Sequence, residues 1–225
     1  MFYIRRITVL TADVISSRKA GLDQHALAAL LRDLTHPALL VPFTVSRGDE
    51  IQGVMDGWLS APQLVRMLRW RCRPLQLRIG LGLGCHSGAL EPDPWKMSGP
   101  AFYRARQALE SVEGKQPGTR VVTGNDRLDP VANSLLLLLD TLMARWTEGQ
   151  WQAVMTYEQA GTFAQAGEIL GVAAQNVQKR CKAAYWNQVR QAEEGLSRIA
   201  DLVPAGHPES GDSAPVTSNS VREGC

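Results

Sequence analysis

The stretch Ser46-Arg47-Gly48-Asp49-Glu50-Ile51 is a polar tip between two short apolar runs, residues 42–45 and 51–55. Two apolar runs joined in this way are typical of a β-hairpin, so we predict a turn that carries two adjacent carboxylates. Successive side chains on a strand point to opposite faces, so Asp49 and Glu50 are not both expected to serve one site if the strand continues through them. Simple solvation of a polar turn is the alternative interpretation.

A second acidic position follows another apolar run. Residues 4–11 lead into Asp13, which predicts a carboxylate at the end of a first strand. Hard cations take oxygen ligands, and Mg²⁺ commonly uses one or two carboxylates plus substrate phosphates. Asp13 and Asp49 are therefore the candidate ligand pair for Mg²⁺ or Mn²⁺, and Glu50 is a candidate third ligand.

The front half of the chain alternates between strand and helix patterns. The predicted elements, in order, are a strand at 4–12, a helix at 23–34, the hairpin, a helix at 61–70, a strand at 75–84, a helix at 100–112 and a strand at 119–123. This is the order β-α-β-β-α-β with an added helix and strand. It predicts an α+β protein with a ferredoxin-like, or palm, domain, in which an antiparallel sheet has its helices on one face.

The strand at 75–84 contains Gly80-Leu81-Gly82-Leu83-Gly84. This G-x-G-x-G spacing lies inside an apolar strand and precedes no helix, so it matches neither the Walker nor the Rossmann fingerprint. The glycines indicate that something packs closely over one face of the strand. A base or ribose, or a second protomer, would explain them, and plain strand twist or ordinary helix packing is the alternative.

The motifs together resemble a known family. The stretch Ala12-Asp13-Val14-Ile15-Ser16-Ser17-Arg18-Lys19, with Arg47-Gly48-Asp49-Glu50-Ile51-Gln52-Gly53 and Gly99-Pro100-Ala101-Phe102-Tyr103, is similar to the bacterial SatD family. Their order, with residues 77–82 between them, also resembles the palm of the nucleotide-cyclase and diguanylate-cyclase superfamily. The resemblance covers about residues 4 to 200.

The cyclase resemblance implies a bound nucleotide and a homodimer. Candidate nucleotide-binding residues lie in the first two motifs: Ser16, Arg18, Lys19 and Gly48. Arg18 and Lys19 would neutralise the outer charges of a polyphosphate, although solvation in a loop is an alternative. Active class III cyclases carry an asparagine and an arginine four residues apart, and here those positions fall on Tyr103 and Gln107.

Arg106 and Arg104 lie beside those two positions and are the candidate catalytic replacements for the family arginine. Because the usual pair is not matched, enzymatic turnover stays an open question. Nucleotide and metal binding do not depend on that pair.

A turn-rich stretch at 124–130 predicts a boundary between a palm domain at 1–126 and a helical domain at 131–202. Within the helical domain, residues 162–180 resemble a helix-turn-helix, in which Gly171 supplies the turn and Ala166 and Gly167 let two helices approach. The second helix offers polar and basic side chains that suit base edges and phosphates: Gln175, Asn176, Gln178, Lys179, Arg180 and Lys182. Helical hairpins of this kind also serve as dimerisation units, and that alternative stays open.

The overall composition excludes several classes of protein. The net charge is +2, so no strongly charged partner is predicted for the whole chain. The longest apolar run, residues 135–139, is too short to span a bilayer, and no signal peptide is indicated. We therefore predict a cytoplasmic protein without membrane contact. The four cysteines lack zinc-ligand spacing, and residues 203–225 are predicted to be a disordered tail.

Two function hypotheses follow. The favoured one is a DNA-binding regulatory protein whose front domain senses a nucleotide through a bound metal ion. The alternative is a metal-dependent nucleotidyl cyclase or nucleotidyltransferase that acts on a nucleoside triphosphate. A third interpretation keeps the front domain for dimerisation alone.

Overall fold

The computed structural model describes residues 4–17, 23–46, 48–112, 114 and 116–202. Within these residues the protein is mixed α+β, with five strands in one sheet and eight α-helices. The strands are β1 (Ile4–Val14), β2 (Leu39–Val45), β3 (Glu50–Asp56), β4 (Leu77–Ser87) and β5 (Gly118–Val122). The helices are α1 (Gln24–Leu31), α2 (Gln63–Cys72), α3 (Pro100–Glu110), α4 (Asp129–Met143), α5 (Glu148–Ala160), α6 (Phe163–Leu170), α7 (Ala174–Ala183) and α8 (Trp186–Asp201).

The sheet has the strand order β2-β3-β1-β4-β5. β1 lies between β3 and β4 and runs antiparallel to both, and β2 pairs antiparallel with β3. β5 instead pairs parallel with β4, because α3 carries the chain back across the sheet between them. The element order of the front half is therefore the predicted one, while the expectation of a wholly antiparallel sheet is wrong at this edge.

Helices cover both faces of the sheet, which corrects the prediction that they lie on one face. Leu10 of β1 shares a buried cluster with Leu27 of α1 and Leu64 of α2. On the opposite face, Val9 of β1 shares a second buried cluster with α3. Alternation along β1 produces the two faces, because neighbouring side chains point in opposite directions.

The glycines of β4 admit α3 to the sheet. A Cβ atom on Gly80 would lie 2.2 Å from the carbonyl oxygen of Ala105, and one on Gly82 would lie 2.1 Å from that of Ala101. Real Cβ atoms do not approach backbone this closely, so only glycine permits the contact. The packed-helix explanation of the G-x-G-x-G spacing is therefore correct, and this strand face is not open to a base or a second protomer.

Helix α4 closes the free edge of β5. The Asn133 side chain accepts a hydrogen bond from the Val121 N–H at 2.8 Å and donates one to the Val121 carbonyl at 2.9 Å. Asp140 accepts from the Thr119 N–H at 2.6 Å. Side chains of α4 thus replace the next strand that an open edge would otherwise attract.

The helical half packs directly onto the front half. One buried cluster includes Leu10 of the sheet, Leu68 of α2, Trp151 of α5 and Leu196 of α8. Trp70 of α2 stacks against Trp151 with 6.0 Å between ring centroids. The division into domains at 1–126 and 131–202 stays a prediction, and the predicted tail at 203–225 lies outside the described residues.

A buried arginine joins the two halves. Arg66 of α2 is fully buried, and its Nε donates to the Glu193 carboxylate of α8 at 2.9 Å. Its Nη2 donates to Glu158 of α5 at 2.9 Å, and its guanidinium lies 4.6 Å from the ring centroid of Trp186. We call these four residues the Arg66 cluster. The periodicity of α2 did not predict an inward arginine.

Candidate functional site

Four charged residues meet at one end of the sheet, on the face covered by α3: Asp13, Glu50, Arg78 and Arg106. We call them the sheet-end cluster. Asp13 of β1 lies directly opposite Glu50 of β3 on one side and opposite Arg78 of β4 on the other. Directly opposed residues project from the same face of a sheet, so the strand register brings these three side chains together. Arg106 reaches them from α3.

Asp13 and Arg78 form a bidentate ion pair. Arg78 Nε donates to the Asp13 carboxylate at 2.9 Å, and Nη2 donates to its second oxygen. The Asp13 side chain is only 19% exposed, whereas that of Arg78 is 33% exposed. The paired Asp13 carboxylate raises the pKa of Arg78, and the negative charge of Asp49 acts in the same direction.

Glu50 and Arg106 form a second bidentate pair. Arg106 Nη1 and Nη2 donate to the two Glu50 oxygens at 2.8 and 3.0 Å. These hydrogen bonds lower the pKa of Glu50 below its usual value, and burial offsets part of that effect. They also raise the pKa of Arg106, to which the charge of Asp13 contributes. The Asp13–Arg78 and Glu50–Arg106 pairs therefore interact electrostatically with each other.

Three further predicted ligand-binding residues of the front half, Asp49, Gly48 and Ser16, lie on loops beside this cluster. Asp49 is half-buried in the bend before β3, while Gly48 is exposed and has a φ of 114°, which favours glycine. Ser16 is exposed in the turn after β1, with a φ of 59°. Arg18 and Lys19 lie outside the described residues. The structure thus gathers Asp13, Asp49 and Glu50 at one end of the sheet.

The donor set of this cluster does not fit a metal ion as it stands. Both Asp13 and Glu50 are already bound by guanidinium groups. Among the residues that the structure describes, no group of three or more His, Cys, Asp or Glu side chains is close enough to hold a metal. A cation would compete with the arginines for these carboxylates, so the metal assignment remains a prediction.

The two candidate catalytic arginines lie apart. Arg106 belongs to the cluster, but Arg104 Nη1 donates to the Leu83 carbonyl at 2.9 Å, and its guanidinium lies against Gly124. Leu83 is five residues along β4 from Arg78, a distance of about 17 Å at the usual rise of a strand. Arg104 therefore does not approach the carboxylates.

The second candidate region is α6, the turn at 171–173 and α7. Gly171 ends α6 in the left-handed conformation with a φ of 64°. A Cβ atom on Gly167 would lie 2.6 Å from the Val172 carbonyl oxygen, so the turn needs glycine there as well. Val177 and Cys181 anchor α7 in the core. Burial raises the pKa of the Cys181 thiol to about 11, so it is not a reactive thiolate.

The outward face of α7 carries the predicted nucleic-acid residues. Those that are exposed are Gln175, Asn176, Gln178, Lys179 and Lys182. Arg180 is half-buried and its guanidinium lies beside Gly149 of α5. The helix has no acidic residue. The structure therefore places five of the six predicted residues on the accessible surface of one helix.

Sequence reasoning missed Arg78 as part of the site. Residues 57–90 contain five arginines and no Asp or Glu. Arginines near the end of a helix are explained by the helix dipole, so Arg78 did not stand out from this group. A usable signal was its position two residues before Gly80, which places it on the same strand face as the glycines. Arg66 carried no such signal.

Comparison with known proteins identifies the family. The family model described as "SatD family" matches residues 8–190, so the chain belongs to the SatD family. No curated protein matches the chain. A solved structure titled "Crystal Structure of Regulator of Polyketide Synthase Expression from Bifidobacterium adolescentis" matches 88% of this chain and 82% of its own, at 14% identity and a TM-score of 0.23. A TM-score of 0.23 does not establish a shared fold.

No helix among the described residues is both long and apolar enough to cross a membrane.

Proposed function

We propose that this SatD-family protein is a DNA-binding regulator, in which α6 and α7 form a helix-turn-helix and α7 is the recognition helix. One observation carries the proposal: five polar or basic side chains share the accessible face of α7, while Val177 and Cys181 fix its opposite face to the core. Lysines would contact phosphates, and Gln and Asn side chains would read base edges.

The test is titration of the full chain into labelled duplex DNA over a series of salt concentrations. Removing one lysine–phosphate interaction should reduce the slope of log K against log salt by about 0.9. We expect Lys179→Gln and Lys182→Gln each to show that reduction. Asn176→Ala should cost about 1–3 kcal/mol on a selected target sequence and leave binding to random DNA little changed.

Arg190→Gln is the matched control, because Arg190 is an exposed cation on α8 whose ion pair is with Glu194 of its own helix. Its salt slope should equal that of the unchanged protein. Absence of binding at low salt, or equal losses of affinity in the control and the α7 variants, would refute the assignment.

The second candidate function is binding of a magnesium or manganese nucleotide at the sheet-end cluster of a palm-type domain. The strand order β2-β3-β1-β4 supports such a domain, and the meeting of Asp13, Glu50 and Arg106 supports the site. Phosphate groups can compete with carboxylates for arginine, which would free the acids to bind the cation. Turnover as a nucleotidyl cyclase or nucleotidyltransferase would need the state in which the arginines bind phosphate and the carboxylates bind the cation.

Thermal unfolding with nucleoside triphosphates, each with and without Mg²⁺, tests this candidate, because a ligand that binds only the folded state raises the midpoint. We expect the unfolding midpoint to rise only when both the triphosphate and Mg²⁺ are present, and we expect this rise to be lost in Asp13→Asn. Arg104→Gln is the control, since Arg104 lies away from the cluster. A midpoint that no combination changes would leave the front domain as a scaffold.

The Arg66 cluster is the proposed link between ligand and DNA. Arg66 of α2 contacts both α5 and α8, which flank the proposed helix-turn-helix. A change in the position of α2 would therefore reach both helices. If nucleotide alters DNA affinity, Arg66→Lys should weaken that coupling more than it weakens either binding reaction alone.

A further inference from the structure

Helix α4 presents an outer face that is almost free of charge. From residue 130 to residue 144 the sequence contains one charged residue, Asp140, and that side chain is turned inward to Thr119 and Arg69. Leu137 and Leu138 are nevertheless 56% and 61% exposed. A surface helix normally carries charged residues opposite its buried stripe, and one that is apolar all round is normally covered.

The exposed residues of α4 form a helix-packing pattern. Ser134, Leu137, Leu138 and Thr141 are exposed at the spacing i, i+3, i+4, i+7, which makes one stripe along the helix. Ser134 and Thr141 are small and lie on either side of the two leucines. Small residues allow helices to approach, and the central leucines supply apolar area. The stripe is separate from the residues that face the sheet and α8.

We propose that this stripe binds a second copy of the same chain, with the two α4 helices antiparallel about a two-fold axis near Leu137 and Leu138. Such an interface is isologous, so the stripe must complement itself. About that axis Ser134 faces Thr141 of the second copy, and the leucines of both copies meet at the centre. The i, i+3, i+4, i+7 spacing of the stripe is therefore compatible with this two-fold axis.

The charges at the two ends of α4 fit the same arrangement. Asp126 and Arg127 lie just before the helix, and Arg145 and Glu148 lie just after it. Antiparallel packing brings each N-terminal pair beside the C-terminal pair of the other copy, where Arg127 lies near Glu148 and Asp126 lies near Arg145. Glu148 also pairs with Arg73 of its own copy at 2.8 Å and is exposed enough to accept a second cation.

A groove beside α4 gives the interface depth. It has a volume of about 420 Å³ and is lined by Leu137, Thr141 and Ala144 on one side and by Val112 and Pro117 on the other, with Arg120 and Arg145 also in its wall. Under the two-fold symmetry the grooves of the two copies adjoin, so Leu137 of each copy has room to insert.

Sedimentation velocity of the full chain over a concentration series tests the proposal. We expect a monomer–dimer equilibrium, and we expect Leu138→Glu to raise the dimer dissociation constant at least about tenfold, because a buried carboxylate without a partner is costly. Tyr103→Glu is the matched control: Tyr103 is an exposed residue on α3 with the same change of charge. Circular dichroism confirms that the variants are folded.

Disulfide trapping tests the orientation. In a Cys85→Ser/Cys225→Ser background, a mixture of Ser134→Cys and Thr141→Cys proteins should cross-link, and neither protein alone should do so. A protein that stays monomeric, a Leu138→Glu dimer of unchanged affinity, or equal cross-linking in the single variants would overturn the proposal. If the unchanged protein forms the dimer but does not bind DNA at low salt, the proposed DNA-binding function is refuted and the proposed α4 interface is not.

Discussion

The Arg66 cluster and the sheet-end cluster use the same chemistry in different surroundings. In the first, one guanidinium with no exposed surface binds two carboxylates, of which Glu193 is 8% exposed. In the second, two guanidinium groups each bind one carboxylate, and all four side chains reach solvent. Burial makes the removal of a partner expensive, so the first arrangement suits a structural joint. Pairs that water can reach open at a lower cost than buried ones, which suits a site that exchanges partners.

The largest expected effect comes from Arg66→Met. The substitution leaves the Glu193 carboxylate buried without its cation, and breaking a buried pair in this way costs about 3–5 kcal/mol. We expect the free energy of unfolding to fall by that amount in urea denaturation. Arg66→Met/Glu193→Leu removes both partners and should recover a substantial part of the loss. If the double variant is no more stable than the single one, the ion pair is not the cause.

Gly82→Ala tests whether the two clusters are independent. The added Cβ would meet the backbone of α3, so α3 must move away from β4, at a cost of about 1–3 kcal/mol. Because α3 carries Arg106 and lies on the opposite face from α2, we expect the Nε–H NMR signal of Arg106 to shift more than that of Arg66.

Gly195→Ala is the control for that experiment, since a Cβ there would lie 3.9 Å from Leu135, an ordinary contact. It should leave stability unchanged or raise it by up to about 1 kcal/mol. Equal movement of both arginine signals in Gly82→Ala would show that the clusters are coupled through the sheet.

Arg78→Met is the direct counterpart of Arg66→Met, because it removes a guanidinium from a bidentate pair that reaches solvent. Water can hydrate the released Asp13 carboxylate, so we expect a loss of at most about 1 kcal/mol. The same urea denaturation measures it. A loss equal to that of Arg66→Met would remove the distinction between the two clusters.

The smallest effect concerns pH. The pKa of Glu50 is lowered by Arg106, so its pairing stabilises the protein above the unfolded-state pKa, and that contribution disappears as pH falls through the lowered value. Burial raises the pKa of Glu193, Arg66 offsets part of this, and Glu158 adds to it. The contribution of Glu193 to the free energy of unfolding therefore has the opposite pH dependence: it is fully present at low pH and is lost as pH rises.

Glu50→Gln should therefore lower the melting temperature slightly at neutral pH and leave it unchanged at strongly acidic pH. A Glu50→Gln difference that grows as pH falls would contradict the assigned direction of the Glu50 pKa.

Some of the candidate site was predictable from local patterns. Asp13 was placed at the end of a strand and Asp49 and Glu50 at a hairpin, because apolar runs with polar ends mark where strands stop. The sequence also placed polar residues on α7, because helical spacing shows which side chains share a face. These are properties of single elements, and each depends on a few neighbouring residues.

The partners of those residues were not predictable in the same way. The hairpin suggested Asp49 as the companion of Asp13, but the β1–β3 register sets Glu50 opposite it, since a shift of one residue exchanges the faces of a strand. Arg78 and Arg106 joined the site from β4 and α3, which are distant in sequence. Register and helix placement are long-range properties.

Local patterns were enough to predict the order of strands and helices in the front half, the turn glycines and the polar face of α7, because periodicity, chain reversal and glycine geometry act over a few residues. Three features required the folded chain: α3 covers the glycine strand, Asp13 and Glu50 at the sheet end are each paired with an arginine, and Arg66 lies buried between the two halves. These contacts form between elements that are distant in sequence, and they depend on which surfaces pack against each other in the folded chain.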